Sequence, residues 1–334
     1  MTIAVLGAGS FGTAMANHLA RTGQEVVLWC RTAEQARHIN ERRRNPRYLK
    51  EYPLVDSLKA AAEAEAERNL AEALEGAGRV ILALPTQSLR GVLERLAALP
   101  PEGRVFLSLA KGIEISTGLM PRAIFEAVLP GRSYSALSGP SHAEEVVREL
   151  PTAVIVASAD PEAALGWQAV LNTPRFRVYT SGDVTGVELG GAVKNVIAIA
   201  VGIAHALSVG DNAKAALTTR GLAEIMRLGA AMGASPLTLA GLAGVGDLMA
   251  TCYSPHSRNF RLGAAIGRGA SPESAAAEIG QVVEGAHTTR ALVAYARRAG
   301  IELPISEGVH AILYEGAELR DVINKLLFRE PKPE

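Results

Sequence analysis

The feature that most constrains this chain is a glycine turn between an apolar segment and a helical pattern near the N-terminus. Gly7, Gly9 and Gly12 form a G-x-G-x-x-G motif between the apolar segment Thr2–Gly7 and a helical pattern over Gly12–Thr22. In this context the first glycine permits the tight turn, the second lets backbone approach a pyrophosphate, and the third lets the helix pack on the strand. The free N–H groups and the positive dipole at the start of the helix attract phosphate. The motif therefore predicts a dinucleotide-binding site.

Short apolar segments alternate with helical patterns through the first half of the chain. Continuous apolar segments are typical of strands in a parallel sheet that helices cover on both faces. The predicted strands are Thr2–Gly7, Glu25–Arg31, Arg79–Pro85, Arg104–Lys111, Ser133–Ser138 and Ala153–Ser158. The predicted fold class is therefore α/β, with an N-terminal Rossmann-like, doubly wound sheet domain over residues 1–182.

The pattern changes at Ser181–Asp183, where strand signals disappear and helical patterns with caps or glycine stops begin. The predicted helices are Val184–Val209, Ala213–Gly233, Ser257–Gly267, Pro272–Ile279, Thr288–Arg298 and Pro304–Gly316. We therefore expect an all-α C-terminal domain over residues 183–334. Because ligands often bind between domains, the expected site is a cleft between the two.

Two segments of the first half are predicted to be peripheral. The segment Arg42–Arg47 is charged and contains a proline, which predicts a surface loop. The segment Leu58–Ala73 is rich in alanine and glutamate, which predicts a solvent-exposed helix.

Composition narrows the class of partner and the compartment. The 334 residues include 34 acidic and 34 basic side chains, so nothing favours nucleic acid or an acidic membrane surface as a partner. Cys30 and Cys252 have no metal-ligand spacing around them, which favours a reducing compartment over a disulfide framework. The N-terminal segment lacks the pattern of a secretory leader, and no uninterrupted apolar run of about 18 residues predicts a membrane span. The expectation is a cytoplasmic protein.

The end of the second predicted strand should determine which dinucleotide binds. An acidic residue there would bind the ribose 2′-hydroxyl of NAD. This chain instead has Arg31, which lies 19 residues after Gly12 and can pair with a 2′-phosphate. We therefore predict NADP(H) use, with NAD(H) also tolerated. The alternative is that Arg31 is an ordinary exposed arginine.

Two of the seven lysines occupy unusual settings. Lys111 follows the apolar segment VFLSLA, at the carboxyl end of a predicted strand, where ligands bind in open α/β sheets. Lys194 is the only charged residue between Glu188 and His205 in a strongly apolar helical pattern. Burial there disfavours the ammonium form and suits proton exchange with a carbonyl oxygen. We predict a ligand contact for Lys111 and an acid–base role for Lys194, with a snorkelling or salt-bridged lysine as the alternative.

Two polar segments interrupt the apolar helical half. Asp247 follows a glycine turn, where it either caps a helix or orients the lysine or a substrate hydroxyl. Ser257, Arg258 and Asn259 open a predicted helix. A hydroxyl, a guanidinium and an amide at a helix N-terminus predict a phosphate-binding site, and simple capping by Ser257 is the alternative.

A further polar turn, Gly139–His142, follows the predicted strand Ser133–Ser138 and should lie at the same sheet edge as Lys111. His142 is close to Glu144 and Glu145 in sequence. One histidine with two helical glutamates is too weak a pattern to predict a metal site. No metal is therefore expected.

Taken together, the motifs of this chain resemble one family. The blocks GAGSFGTA, LAKGIE, LSGPSHAEEV, GVELGGAVKNVIAIAVGI, TRGLAEIMRLG, GLAGVGDLMATCYSPHSRN and VVEGAHTT occur in order over roughly residues 1–315. They are similar to the bacterial type of NAD(P)-dependent glycerol-3-phosphate dehydrogenase. The resemblance implies reversible hydride transfer between NADP(H) or NAD(H) and dihydroxyacetone phosphate, giving sn-glycerol 3-phosphate for glycerophospholipid synthesis. It also implies a cytoplasmic homodimer with a small phosphorylated substrate.

The resemblance also implies roles for individual residues. Lys194 would be the proton donor and acceptor. The implied substrate contacts are Lys111, Gly139, Ser141, Lys194, Asp247, Ser257, Arg258 and Asn259. The implied cofactor contacts, besides the glycines of the turn, are Ser10, Phe11, Arg31, Lys111, Ala143, Arg258, Val282 and Glu284.

This chain departs from the family pattern at three places, which affects the residue roles that the resemblance implies. Phe11 stands where the family usually has tryptophan, which keeps an aromatic ring at that position. His142 replaces a usual phenylalanine, so no packing of this side chain beside the nicotinamide is inferred from the resemblance. Residues 50–70 diverge, so no function is inferred for them.

Two other functions remain open on sequence grounds. A two-domain β-hydroxyacid dehydrogenase would share the sheet domain and a helical lysine, but the segment Ser257–Asn259 favours a phosphorylated substrate. A protein that senses NAD(P)H without turnover would share the glycine turn, but it has no need of a buried Lys194. Turnover of NADPH with phosphorylated and unphosphorylated ketones separates the three functions.

Overall fold

The computed structural model of the chain describes residues 2–62, 68–99, 103–328 and 330. Two compact units make up the chain. The first comprises Met1–Lys111 and Met120–Glu188, and the second comprises Gly112–Leu119 and Leu189–Glu334. The domain boundary expected between residues 182 and 183, and the cleft expected between the domains, stay predictions.

The described residues of the first unit form an eight-stranded sheet. Its strands are β1 Thr2–Leu6, β2 Val26–Cys30, β3 Lys59–Ala62, β4 Ala77–Leu82, β5 Val105–Ser108, β6 Ser133–Ser138, β7 Thr152–Ser158 and β8 Phe176–Ser181. Their order is β3-β2-β1-β4-β5-β6-β7-β8, and every neighbouring pair is parallel except β6 and β7. The strand order reverses between β1 and β4, which is where ligands bind in doubly wound sheets. The predicted Rossmann-like class is confirmed.

Helices in the first unit connect and cover these strands. They are α1 Ser10–Arg21, α2 Ala33–Arg42, α3 Arg68–Ala73, α4 Thr86–Ala97, α5 Pro121–Val128, α6 Ala143–Val146 and α7 Pro161–Leu171. The central strands are buried along their length, with Ile3–Leu6 of β1 at most 1% exposed. That burial explains why these strands are continuously apolar.

The sequence analysis was wrong at one edge strand and missed the other. Lys59–Ala62, expected to begin an exposed helix, pairs with β2 as β3, and residues 63–67 of that predicted helix lie outside the described residues. Pairing with a neighbouring strand overrides the weak strand propensity of alanine. Phe176–Ser181 forms β8, with Phe176 and Val178 buried and Arg177 and Tyr179 exposed. This alternation is typical of a strand with one covered face.

The second unit is helical in the part of the chain that the structure describes, as predicted. Its helices are α8 Val184–Ala206, α9 Asp211–Ala231, α10 Pro236–Ala240, α11 Asp247–Cys252, α12 Arg258–Gly267, α13 Pro272–Ile279, α14 Glu284–Ala299, α15 Pro304–Tyr314 and α16 Leu319–Leu327, and a π-helical turn covers Leu242–Gly246. The first residues of α8, Val184–Glu188, belong to the first unit. Helix α14 begins at Glu284, four residues before the predicted start at Thr288.

Helix α8 is long and apolar enough to cross a membrane, but 94% of its most apolar stretch is buried within the structure. Glycines let it pack closely against α12. A Cβ atom on Gly202 would lie 2.1 Å from the Phe260 carbonyl oxygen, and one on Gly263 would lie 2.0 Å from the Ile199 carbonyl oxygen. Such backbone approach is open to glycine alone. The burial and these contacts identify α8 as a core helix.

Candidate functional site

The glycine turn has the shape that a bound dinucleotide requires. Gly7 has φ +115°, and a Cβ atom there would lie 2.3 Å from the Ala83 carbonyl oxygen. A Cβ atom on Gly12 would lie 2.0 Å from the Gly7 carbonyl oxygen, whereas one on Gly9 would have no atom within 4 Å. Gly7 and Gly12 are therefore required by packing, and Gly9 faces open space where a pyrophosphate can approach.

The start of α1 adds to this fit. The N-cap residue is Gly9, which has no side chain to accept a hydrogen bond from the first N–H groups of the helix. Ser10 is the first helical residue, and Phe11 is half-buried against the core of the first unit. The N–H groups and the dipole at this end are suited to a phosphate. The residues present therefore fit a dinucleotide.

Sequence reasoning missed two residues under the turn. Asn45, placed in a peripheral loop by the sequence analysis, is fully buried and donates from Nδ2 to the Ala8 carbonyl oxygen at 3.0 Å. Gln35 of α2 donates from Nε2 to the same oxygen at 2.9 Å. An asparagine between arginines and a proline predicts only a turn. Its role depends on a contact with a residue 37 positions earlier.

Arg31 directly follows β2 and is exposed. The next residue, Thr32, caps α2 by accepting a hydrogen bond from the Gln35 N–H. Arg31 therefore lies at the carboxyl end of the strand, where the ribose of a dinucleotide is bound in this fold. Its pairing with a 2′-phosphate stays a prediction.

A second polar group of the first unit lies at the ends of β5 and β6. Lys111 is half-buried, and its Nζ donates to the Gly139 carbonyl oxygen at 3.4 Å. The Ser141 hydroxyl donates to the same oxygen at 3.1 Å. Gly139 has φ +128°, and a Cβ atom there would lie 2.9 Å from Val154 Cα. The structure thus brings together Lys111, Gly139 and Ser141 at one sheet edge, as expected of adjacent parallel strands.

The turn continues into the short helix α6. His142 is its N-cap residue and is half-buried, and Ala143 begins the helix and is buried. Helix α6 packs against α1. Among the residues that the structure describes, no group of three or more His, Cys, Asp and Glu side chains could hold a metal ion.

In the second unit, Lys194 forms an ion pair with Asp247, so it is salt-bridged, as the alternative in the sequence analysis stated, and its acid–base role stays a prediction. Its Nζ donates to Asp247 Oδ1, and the two side chains are 7% and 3% exposed. Asp247 does not cap α11, because the N-cap residue there is Gly246. Of the functions considered for Asp247, the structure shows contact with the lysine. The neighbouring carboxylate favours the charged ammonium and opposes the effect of burial that the sequence analysis considered alone.

Close backbone packing brings this pair together. A Cβ atom on Gly190 would lie 2.5 Å from the Ala243 carbonyl oxygen, so only a glycine lets α8 approach the π-helical turn before Asp247 this closely. Gly190 is four residues before Lys194, and Ala243 is four residues before Asp247. The glycine contact therefore lies about one helical turn from the ion pair. The π-helical turn directly before Asp247 is a feature often found at functional sites.

Cys252 is at the end of α11, the helix that begins at Asp247, and is buried. Burial raises the pKa of its thiol to about 12. The side chain therefore remains a protonated thiol at neutral pH. Cys252 therefore packs as a small buried hydrophobic residue.

Ser257 and Asn259 are buried at the start of α12 and have structural partners. Ser257 is the N-cap residue, and its Oγ accepts from the Phe260 N–H at 3.2 Å. Asn259 donates from Nδ2 to Asn195 Oδ1 at 2.8 Å and accepts at Oδ1 from the Gly285 N–H at 2.9 Å. Ser257 therefore caps the helix, as the alternative to phosphate binding in the sequence analysis stated. Its own O–H remains chemically able to donate to a ligand.

Arg258 and the start of α14 form the remaining part of this group. The Arg258 Nη1 donates to the Val282 carbonyl oxygen at 2.7 Å. Val282 is 41% exposed, and Glu284 is the first residue of α14. The structure thus links Arg258 to the segment that carries two predicted cofactor contacts.

Comparison with known proteins covers both units. The family model for the N-terminus of NAD-dependent glycerol-3-phosphate dehydrogenase matches residues 2–164, and the model for the C-terminus of the same family matches residues 183–324. Glycerol-3-phosphate dehydrogenase (NAD(P)+) of Chlorobium limicola is 46% identical over 337 residues, covering 100% of this chain and 99% of that protein. The enzyme of the same name from Pelotomaculum thermopropionicum is 48% identical over 98% of this chain and 93% of that protein.

A solved structure is similar over the same extent. The crystal structure of glycerol-3-phosphate dehydrogenase from Coxiella burnetii has a TM-score of 0.93 and 39% identity to this chain. The match covers 98% of this chain and 99% of that chain. The similarity therefore spans the glycine turn, the Lys111 group and the Lys194–Asp247 pair.

Proposed function

The chain belongs to the family of NAD-dependent glycerol-3-phosphate dehydrogenases, and we propose that Lys194 is the proton donor and acceptor of its reaction. The chain is an NAD(P)-dependent oxidoreductase that interconverts dihydroxyacetone phosphate and sn-glycerol 3-phosphate. The observation that carries the proposed role is the burial of Lys194 in a strongly apolar helix, with Asp247 as its buried counter-charge. An ammonium held in an apolar helix has a fixed position from which to exchange a proton.

The residues of this chain supply the acid–base part of the reaction. When bound, the reduced nicotinamide supplies a hydride to the carbonyl carbon of the ketone. Lys194 donates a proton from Nζ to the carbonyl oxygen as the C=O π bond breaks, which leaves a secondary alcohol and a neutral amine. In the reverse direction the neutral amine accepts the hydroxyl proton. Asp247 orients the lysine and favours its charged form.

Binding of the substrate is proposed to involve two polar groups: the residues at the start of α12, and the residues at the ends of β5 and β6. Ser257, Arg258 and Asn259 would bind the substrate phosphate, with the hydroxyl of Ser257 donating while its oxygen caps α12. Lys111, Gly139 and Ser141 would contact the three-carbon backbone, and the Lys111 ammonium would stabilise the negative charge that develops on the carbonyl oxygen. Such positioning and charge stabilisation supply most of the rate acceleration.

We expect the enzyme to prefer a phosphorylated ketone strongly. The value of kcat/KM for dihydroxyacetone phosphate should exceed that for dihydroxyacetone by at least about 10³-fold, because binding energy from the phosphate is used to position the carbonyl. The measurement is the initial rate of NADPH oxidation with each ketone. Equal turnover of the two ketones would contradict the phosphate-binding role of residues 257–259, and no turnover of either would favour an NAD(P)H-sensing protein.

Arg31 is proposed to select NADPH by pairing with its 2′-phosphate. Arg31→Ala should lower the ratio of kcat/KM for NADPH over kcat/KM for NADH by about tenfold or more, because a charge-assisted hydrogen bond is lost with only one of the two cofactors. The matched control is Arg37→Ala, which removes an exposed arginine that lies in the neighbouring helix α2. An unchanged ratio in Arg31→Ala would remove Arg31 from this role.

The cellular setting is proposed from the same resemblance. The product, sn-glycerol 3-phosphate, would enter glycerophospholipid synthesis, and the enzyme would act in the cytoplasm as a homodimer. The burial of α8, the one long apolar helix among the described residues, supports a protein without a membrane span. Light scattering of the purified enzyme at working concentration tests the dimer, and a mass of one chain would exclude it.

A further inference from the structure

The glycine turn is held from its buried side by two side-chain amides. Gln35 Nε2 and Asn45 Nδ2 donate to the Ala8 carbonyl oxygen at 2.9 and 3.0 Å. Gln35 is 6% exposed and Asn45 is 0% exposed. Asn45 Nδ2 also donates to Thr13 Oγ1 of α1 at 2.8 Å. One peptide of the turn, Ala8–Gly9, is therefore fixed by two donors that solvent does not reach.

The position of this carbonyl determines the direction of the next N–H group. In a trans peptide the C=O and N–H bonds point in opposite directions. Because the Ala8 carbonyl points inward to Gln35 and Asn45, the Gly9 N–H points outward. The outward side at Gly9 is open, since a Cβ atom there would meet nothing within 4 Å. An outward N–H beside the start of α1 is suited to a phosphate oxygen.

We propose that Asn45 and Gln35 are positioning residues for the cofactor, because they fix the Ala8–Gly9 peptide with its N–H directed at the dinucleotide pyrophosphate. The inference rests on the dinucleotide binding proposed above. Neither residue touches the cofactor in this role. Each acts through the backbone of the turn.

The contacts of Asn45 determine which of its amide atoms faces the turn. Its Oδ1 accepts from the backbone N–H groups of Arg47 and Tyr48 at 3.1 and 3.2 Å, and from Gln35 Nε2 at 3.1 Å. Backbone N–H groups can only donate, so the atom they contact is the oxygen. The nitrogen is thereby directed to Ala8 and Thr13. An aspartate has the same shape and keeps all three acceptor contacts, but as a carboxylate it cannot donate to the Ala8 carbonyl.

The sharpest test is therefore Asn45→Asp. We expect the Kd for NADPH, measured by fluorescence titration, to rise by about tenfold or more, because the Ala8 carbonyl loses a buried donor. The effect should appear in the KM for NADPH much more than in kcat. Lowering the pH until the new carboxyl is protonated restores one donor, so the Kd should recover part of the loss.

Asn17→Asp is the matched control. Asn17 lies on α1, is 1% exposed, and its Oδ1 accepts from the Val55 N–H at 2.8 Å. The substitution places a carboxyl at equal burial and keeps the acceptor contact, but it does not touch the Ala8 carbonyl. We expect its Kd for NADPH to stay within about twofold of the unsubstituted enzyme, since the cost of a buried carboxyl falls on stability.

The outcomes separate this inference from the proposed function. If the unsubstituted enzyme binds no dinucleotide, the proposed function fails. If it binds NADPH and folded Asn45→Asp binds equally well, or if both variants lose affinity equally, the positioning role is wrong. Should Asn45→Asp fail to fold in thermal melts, Gln35→Glu removes the other donor to the same oxygen and decides the question by the same threshold.

Discussion

Replacing Lys194 with alanine is expected to lower kcat for ketone reduction by about two orders of magnitude or more. The substitution removes the proposed proton donor, so negative charge that develops on the carbonyl oxygen has no nearby acid to neutralise it. Binding of NADPH should be retained, because the glycine turn belongs to the other structural unit. Steady-state rates with dihydroxyacetone phosphate, together with fluorescence titration of NADPH, measure the two effects separately.

A second lysine of the helical unit supplies the control. Lys214 pairs with Asp211 at 2.7 Å, but Asp211 is 97% exposed, and the pair lies within α9. Lys214→Ala removes the same side chain from a Lys–Asp pair outside the proposed site. Its kcat should stay near that of the unsubstituted enzyme. Turnover of Lys194→Ala close to normal, with the protein folded, would exclude Lys194 as the proton donor.

The parts of the fold that could be predicted are those whose pattern is local. The glycine turn, β1 and α1 are adjacent in sequence, and the motif itself implies close packing at Gly7 and Gly12 and open space for a ligand at Gly9. Continuous apolar segments identified the central strands because both faces of those strands are buried. The helical half was predicted from caps and glycine stops, which act within a few residues.

Edge strands and the support of the turn could not be predicted in this way. The segment Lys59–Ala62 is a strand because β2 offers a pairing partner, and nothing in the sequence KAAA favours a strand. Asn45 supports the turn because folding brings a loop from 37 residues away beneath Ala8. Both depend on contacts distant in sequence. The local sequence around such a residue does not show which distant residue it will contact in the folded chain.

The Lys194–Asp247 pair lies between these cases. The sequence alone identified each residue separately as a candidate, the lysine because it is isolated in an apolar helix and the aspartate because it follows a glycine turn. Their contact spans 53 residues and depends on Gly190 meeting the backbone at Ala243. A glycine whose Cβ would clash with a distant carbonyl shows where two elements meet, but the sequence alone does not name the second element.

Asp247→Asn should therefore be costly in two ways. Removing one partner of a buried pair leaves an ammonium without its counter-charge, and such losses lower the free energy of unfolding by about 3–5 kcal/mol. The second effect is on the proton itself. Without the carboxylate the Lys194 ammonium is less stable and releases its proton at a lower pH. Chemical denaturation measures the first effect, and pH profiles of kcat/KM measure the second.

The sign of the pH effect follows from which form of the lysine acts. Ketone reduction needs the ammonium, so its kcat/KM falls as pH rises through the loss of that proton, and alcohol oxidation needs the neutral amine, so its kcat/KM rises there. In Asp247→Asn the bend of both profiles should move to lower pH, because the ammonium has lost its counter-charge. Asp211→Asn, which alters the exposed pair of α9, should move neither bend.

The position of the bend is the decisive observation. The ratio of kcat/KM for reduction to kcat/KM for oxidation at any one pH is fixed by the equilibrium of the reaction, so a variant does not change it. If Asp247 acted only by holding a substrate hydroxyl, its loss would lower kcat/KM by the same factor at every pH and leave the bend in place. A bend that moves shows that the carboxylate acts through Lys194, the residue it contacts in the structure.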